Sequence, residues 1–177
     1  MIDRARIAAY SLRAMTRPDP LYHVLFVCTG NTCRSPMAVA ALRQALGSDA
    51  DRVAISSAGT SAWDGQPAAR FAIETAQRSG AVLENHRSRR LTPEMAGEAD
   101  LIVVMEPAHR AALATLGIAD DRVHVLSEWP EPGEPTLEIS DPFGQSAEAY
   151  EECWRRIGRH VERLAVVVRE ACRSRSA

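Results

Sequence analysis

A chain of 177 residues, 46% apolar and 25% charged, is long enough for one domain with a sizeable core and short for two. Its formal net charge of -2 excludes the basic surface of a nucleic-acid binder, and the 21 basic residues are all arginine, which excludes a lysine-dependent phosphate loop or a lysine Schiff base. No apolar run reaches membrane-spanning length, the N-terminus has no uninterrupted signal-like core, and four scattered cysteines suit a reducing compartment, so a soluble cytoplasmic protein with no membrane partner is expected.

Residues 1–20 alternate arginine with small apolar residues and break at Pro18-Asp19-Pro20. They read as an N-terminal extension, one short helix at most, ahead of a domain over residues 21–177. The run Tyr22-His23-Val24-Leu25-Phe26-Val27 is apolar on both faces, as a strand in the middle of a sheet should be. The stretch Cys28-Thr29-Gly30-Asn31-Thr32-Cys33-Arg34-Ser35 then forms a tight loop that opens a helix. Ser35 suits the N-cap, Pro36 the first helical position and Gly47 the stop after Leu46.

A second strand is expected over residues 52–57, a helix over 67–79 stopped by Gly80, and a short helix opening at Thr92-Pro93-Glu94. A strand over 101–105, a helix over 107–116 and a last strand over 124–126 follow. Pro130, Pro132, Pro135 and Pro142 keep residues 128–141 irregular, and a loop of that length is usually functional or disordered. The final helix, residues 147–171, presents Tyr150, Trp154, Ile157, Val161, Leu164 and Val168 as one apolar stripe, with Cys153 in the core and Cys172 in the tail. Strands alternating with helices imply a single three-layer α/β domain: a four-stranded parallel twisted sheet, helices on both faces, and the Cys28 loop at the end of the first strand.

That loop carries the chemistry. A phosphoryl group has three equatorial oxygens to satisfy while its leaving group departs opposite the attacking atom. Backbone N–H groups from Thr29 to Ser35, curled into a nest at a helix N-terminus, can satisfy them, with Gly30 supplying the dihedral freedom. Arg34 adds a planar fork for two oxygens. Cys28 lies at the base of the cradle, where N–H dipoles, Arg34 and the Ser35 hydroxyl favour the thiolate without a histidine base. As a metal pair Cys28 and Cys33 make a poor zinc set, so no metal is expected; an inert buried thiol is the plainer alternative. The route also needs an acid that later serves as base. Asp141, in Asp141-Pro142-Phe143-Gly144, is the candidate, although Asp-Pro also starts ordinary turns.

At these two motifs the sequence resembles the low-molecular-weight protein tyrosine phosphatase family. Cys28 through Pro36 matches its phosphate loop, Asp141-Pro142-Phe143 its acid segment, and Ser57-Ala58-Gly59-Thr60 and Trp63-Asp64-Gly65 match further segments, so the likeness runs from about Leu21 to the final helix. The resemblance implies a phosphocysteine on Cys28, phosphate binding by Arg34, Asp141 as acid then base, and no cofactor. It further implies a left-handed Asn31 tied to Ser57 and His86. Phosphorylated proteins are the implied partners, with inorganic phosphate as product or inhibitor.

Two positions bear on substrate. The tyrosine-specific members usually carry a bulky aliphatic residue where this chain has Thr32, and a second aromatic where Phe143 is followed by Gly144. Both departures resemble the protein-arginine phosphatase branch. Thr and Ile share β-branching, and Gly144 could simply shape a turn, so phosphotyrosine stays open as the alternative substrate. A non-catalytic phosphoryl-binding module is a further alternative. Arsenate reductases of similar cradle need an additional mid-chain cysteine pair, and residues 34–152 contain no cysteine. Cys33, near Cys28, is a candidate redox partner that would shield the nucleophile from overoxidation.

Overall fold

The computed structural model describes residues 21–118, 120–128 and 138–175. Residues 1–20, and with them the expected extension and short helix, lie outside that set, as does most of the proline-rich stretch.

The central strand, β1 (Tyr22–Cys28), pairs in parallel with β2 (Val53–Gly59) on one side and β3 (Leu101–Val104) on the other, and β3 pairs in parallel with β4 (Val123–Val125). The sheet order is β2-β1-β3-β4. Side chains alternate across β1, and both faces are covered. Tyr22, Val24, Phe26 and Cys28 join one core with α1 (Arg34–Leu46), α2 (Arg70–Arg78) and α5 (Ala147–Arg175), whereas Leu25 and Val27 join a second with α3 (Pro93–Glu98) and α4 (Pro107–Thr115). Register decides what meets at the carboxyl ends: Cys28 lies opposite Gly59, and Val27 opposite Val104. The residues that follow β1, β2 and β3 therefore converge on one edge, the usual position of ligand sites in open α/β sheets.

Several boundaries differ from the sequence expectation, each with a local cause. α1 begins at Arg34 with Cys33 as a cap whose side chain makes no capping bond. Ser35 is inside the helix, not its N-cap, because its hydroxyl is engaged by the cradle. Gly47, at φ 57°, ends α1 as expected. α2 starts at Arg70, later than expected, and the Ala69 N–H, free at a helix N-terminus, ties its entry to the Thr32 carbonyl at 2.9 Å. Thr92 caps α3 by accepting the Met95 N–H at 3.3 Å.

The last helix runs on to Arg175. Cys172 is accordingly buried against the core, not in a tail. The extra turn is held by Arg175, whose Nη1 donates to Asp100 Oδ2 at 3.1 Å and to the Leu21 carbonyl at 2.7 Å. No helix among the described residues is long and apolar enough to cross a membrane.

Candidate active site

The turn out of β1 is bent at Asn31, which has φ 55°; Gly30 is not in the left-handed region, which corrects the expectation that Gly30 takes the unusual dihedral. A non-glycine residue there costs on the order of 1 kcal/mol, so it persists only where its surroundings over-determine it. They do so with every polar atom of the side chain. Asn31 Nδ2 donates to Ser35 Oγ at 2.8 Å and Ser57 Oγ at 2.9 Å, and Oδ1 accepts the Arg89 N–H at 2.8 Å. His86 Nε2 donates to the Asn31 carbonyl at 2.6 Å. Burial pushes the His86 imidazole below its ordinary value, and Arg89 and Arg87 add to that against the pull of the Asn31 carbonyl. A glycine would reach the same φ without holding these partners in place.

Cys28 Sγ, almost fully buried, accepts the Asn31 N–H at 3.3 Å and lies 3.0 Å from Ser35 Oγ. The Ser35 oxygen already accepts from Asn31, so its own hydrogen is free to point at the sulfur. Two donors therefore converge on the Cys28 sulfur.

Arg34 is buried to 2% exposure and its terminal nitrogens are fixed at four points. Nη1 donates to the Ile139 carbonyl at 3.1 Å and Glu106 Oε1 at 3.3 Å; Nη2 donates to Thr29 Oγ1 at 3.3 Å and Asp141 Oδ2 at 2.5 Å. The Nε–H is buried without a partner. His109 completes the set: its Nε2 lies 3.0 Å from Thr29 Oγ1 and 3.1 Å from Glu106 Oε1. Burial pushes the His109 imidazole down, opposed by Glu106 and Asp141 and assisted by Arg34. Sequence reasoning missed both Glu106 and His109. The available signal was their place directly after a wholly apolar strand, in a parallel sheet whose carboxyl ends share one edge.

Asp141 reaches the site on a segment latched to β3 by the Ile139 N–H, which donates to the Met105 carbonyl at 2.7 Å. It is also a turn starter: its Oδ1 accepts the Phe143 N–H at 3.1 Å, and Gly144 takes φ 74°. The two sequence readings of Asp-Pro are thus compatible. A cleft of about 210 Å³ brings Cys28, Gly30, Thr32 and Cys33 together with Asp141 and Phe143, the last 71% exposed at its mouth. Cys33 turns to the core, where its thiol lies 3.3 Å from the Tyr150 hydroxyl. Burial pushes that thiol up, against the pull of the Tyr150 and Thr32 hydroxyls. Cys28 and Cys33 are both free thiols. Among the described residues no set of three His, Cys, Asp or Glu side chains could hold a metal ion.

Behind the loop, Gly59 has no room for a side chain. A Cβ there would stand 2.5 Å from the Thr29 carbonyl oxygen and 2.9 Å from the Asn31 nitrogen. The residues after it seal the contact, since Thr60 N–H donates to the Cys28 carbonyl at 2.9 Å and Ser61 N–H to the Thr29 carbonyl at 3.0 Å. Gly59→Ala is expected to destabilise the fold by about 1–3 kcal/mol and to lower turnover by displacing the cradle. A thermal melt and a rate indistinguishable from wild type would show that Gly59 does not back the loop.

A family model described as low molecular weight phosphotyrosine protein phosphatase matches residues 23–174. The chain is 36% identical over 140 residues to the probable low molecular weight protein-tyrosine-phosphatase EpsP of Ralstonia nicotianae, covering 78% of this chain and 90% of that protein. It is 35% identical over 130 residues to the protein-arginine-phosphatase of Bacillus subtilis, covering 73% and 85%. Among solved structures it is similar to the YwlE arginine phosphatase carrying a phosphorylated active-site serine, with a TM-score of 0.74 and 32% identity over 81% of this chain and 93% of that one.

Proposed function

This chain belongs to the low-molecular-weight phosphotyrosine protein phosphatase family, and on that premise we propose that it hydrolyses phosphoarginine in proteins through a phosphocysteine on Cys28. The Cys28 thiolate attacks phosphorus while the backbone N–H groups of the loop and Arg34 take the equatorial oxygens. As the P–N bond breaks, its electron pair stays on the guanidine nitrogen and Asp141 gives that nitrogen its proton, so that arginine leaves with an ordinary N–H. Water then attacks the phosphocysteine, Asp141 takes its proton, the S–P bond breaks, and phosphate leaves with the thiolate restored. The Arg34–Asp141 ion pair at 2.5 Å is exchanged in this cycle: the oxyanion takes over the guanidinium, which frees Asp141 to carry a proton.

The observation that carries the arginine reading is Thr32 in the wall of the cleft, with Phe143 as the aromatic at its mouth. A hydroxyl in that wall can hydrogen-bond to a guanidinium or to the water around it, whereas an aliphatic side chain offers only apolar contact suited to a phenyl ring. Gly144 supports the reading less than its sequence suggested, because its positive φ already calls for glycine. The phosphotyrosine reading is favoured by the exposed ring face of Phe143, against which a phenyl group could stack. Reversible Cys28–Cys33 oxidation and a cytoplasmic setting belong to the same proposal, the former supported by two free cysteines on one short loop.

Thr32→Ile tests the substrate assignment. The ratio of kcat/KM on a phosphoarginine peptide to that on a phosphotyrosine peptide is expected to fall by about tenfold or more, with turnover of a small aryl phosphate little changed. An unchanged ratio would remove Thr32 as the selector.

A further inference from the structure

A second and larger concavity, about 350 Å³, is walled by the supports of the cradle, with no catalytic residue in it. Ser57 and His86, which hold Asn31, line one side. Arg43 from α1, with Arg87 and Arg89 from the loop between α2 and α3, line the rest. These three guanidinium groups are bonded only to backbone carbonyls: Arg43 to Ile55 at 3.4 Å, Arg89 to Ser57 at 3.2 Å, and Arg87 to Glu84 at 3.3 Å and His86 at 2.7 Å. Among the described residues none of the three is paired with a carboxylate, and no Asp or Glu lines the pocket. Arg34, by contrast, is already neutralised by Glu106 and Asp141. Three guanidinium groups without a carboxylate partner thus line this pocket, whereas Arg34 at the catalytic cleft is paired.

Val39, Ala40 and Leu83 add apolar lining to the pocket, as does Val82, which is 68% exposed. Apolar side chains and planar cationic forks in one pocket suit a ligand with an apolar body and an anionic head, and the volume falls in the range of small-molecule sites. We propose that this pocket binds a small organic oxyanion, a phosphate, sulfonate or carboxylate on an apolar body, and that its occupancy alters turnover through Asn31. The coupling is short. Arg89 presents its guanidinium to the pocket while its backbone N–H holds Asn31 Oδ1, and His86 lines the pocket while holding the Asn31 carbonyl.

The test titrates the full chain with 8-anilinonaphthalene-1-sulfonate, an apolar body with one sulfonate, while orthovanadate saturates the cradle. Saturable single-site fluorescence is expected to persist under vanadate. It should weaken by about tenfold or more in Arg43→Ala/Arg87→Ala, which removes two charge-assisted contacts. That variant should keep its basal turnover and melting temperature but lose the change in kcat that the sulfonate causes in wild type. Arg87→Glu, altered at an exposed side chain, gives the same reading should the double variant fold poorly. Displacement by vanadate, equal affinity in the variants, or binding with no change in rate would each overturn the proposal.

Discussion

Asp141→Asn is expected to lower kcat by about two to four orders of magnitude on substrates with poor leaving groups, and far less on an activated aryl phosphate. Asparagine preserves the shape of the turn, since its Oδ1 can still accept the Phe143 N–H that Asp141 holds at 3.1 Å. It cannot carry a proton to the leaving atom or take one from water. It also cannot form the charged pair with Arg34 Nη2, now 2.5 Å away. The carboxylate and a bound oxyanion compete for the same guanidinium, so phosphate should inhibit the variant at least as well as wild type. Loss of rate with retained or improved phosphate binding separates proton transfer from binding. Equal rates on a poor leaving group would remove Asp141 as the acid, and loss of phosphate binding would make it a structural residue of the cradle.

Arg34→Lys should have an effect of comparable size by a different route. The guanidinium bridges four acceptors on separate elements, Thr29 after β1, Glu106 after β3, and Ile139 and Asp141 on the acid segment. A lysine ammonium keeps the charge but is a single point that cannot span them. Losing this preorganised donor is expected to lower kcat/KM by about 10²–10³-fold and to weaken phosphate inhibition in step. Stability should fall as well, because Glu106, 27% exposed, is left with His109 as its partner at 3.1 Å. Near-normal kcat/KM with lowered stability would reduce Arg34 to a structural tie.

Cys28, Arg34 and Ser35 share one loop and one helix start, and the chemistry proposed for them is readable from spacing and residue type. The distant members Ser57, His86 and Asp141 are reached through short motifs and the family likeness, not through local spacing. Strand alternation likewise gave the four-stranded parallel sheet and nearly every element, because each strand and helix carries its own periodicity. Residues whose role depends on strand order escaped it. Glu106 and His109 meet Thr29 and Arg34 only because β3 lies next to β1, and nothing in local spacing encodes that neighbour relation.

Where one residue had two possible tasks, the competing bond decided the outcome. Ser35 looked like a helix cap until its hydroxyl was seen to be engaged by Cys28 and Asn31. Residue chemistry alone pointed to Gly30 as the flexible position, whereas the family resemblance implied a left-handed Asn31, and Asn31 takes that turn while satisfying Ser35, Ser57 and Arg89. Cys172 lies beyond the apolar stripe that ends at Val168, and it is buried only because α5 continues for the turn that Arg175 anchors on Asp100.

Phosphoarginine and phosphotyrosine presented in otherwise identical peptides, compared side by side as substrates of the wild-type chain, decide the substrate. A higher kcat/KM on phosphoarginine is expected. A kcat/KM on phosphotyrosine that equals or exceeds it would contradict the assignment of Thr32 as the selector and leave the chain a tyrosine phosphatase of the same family.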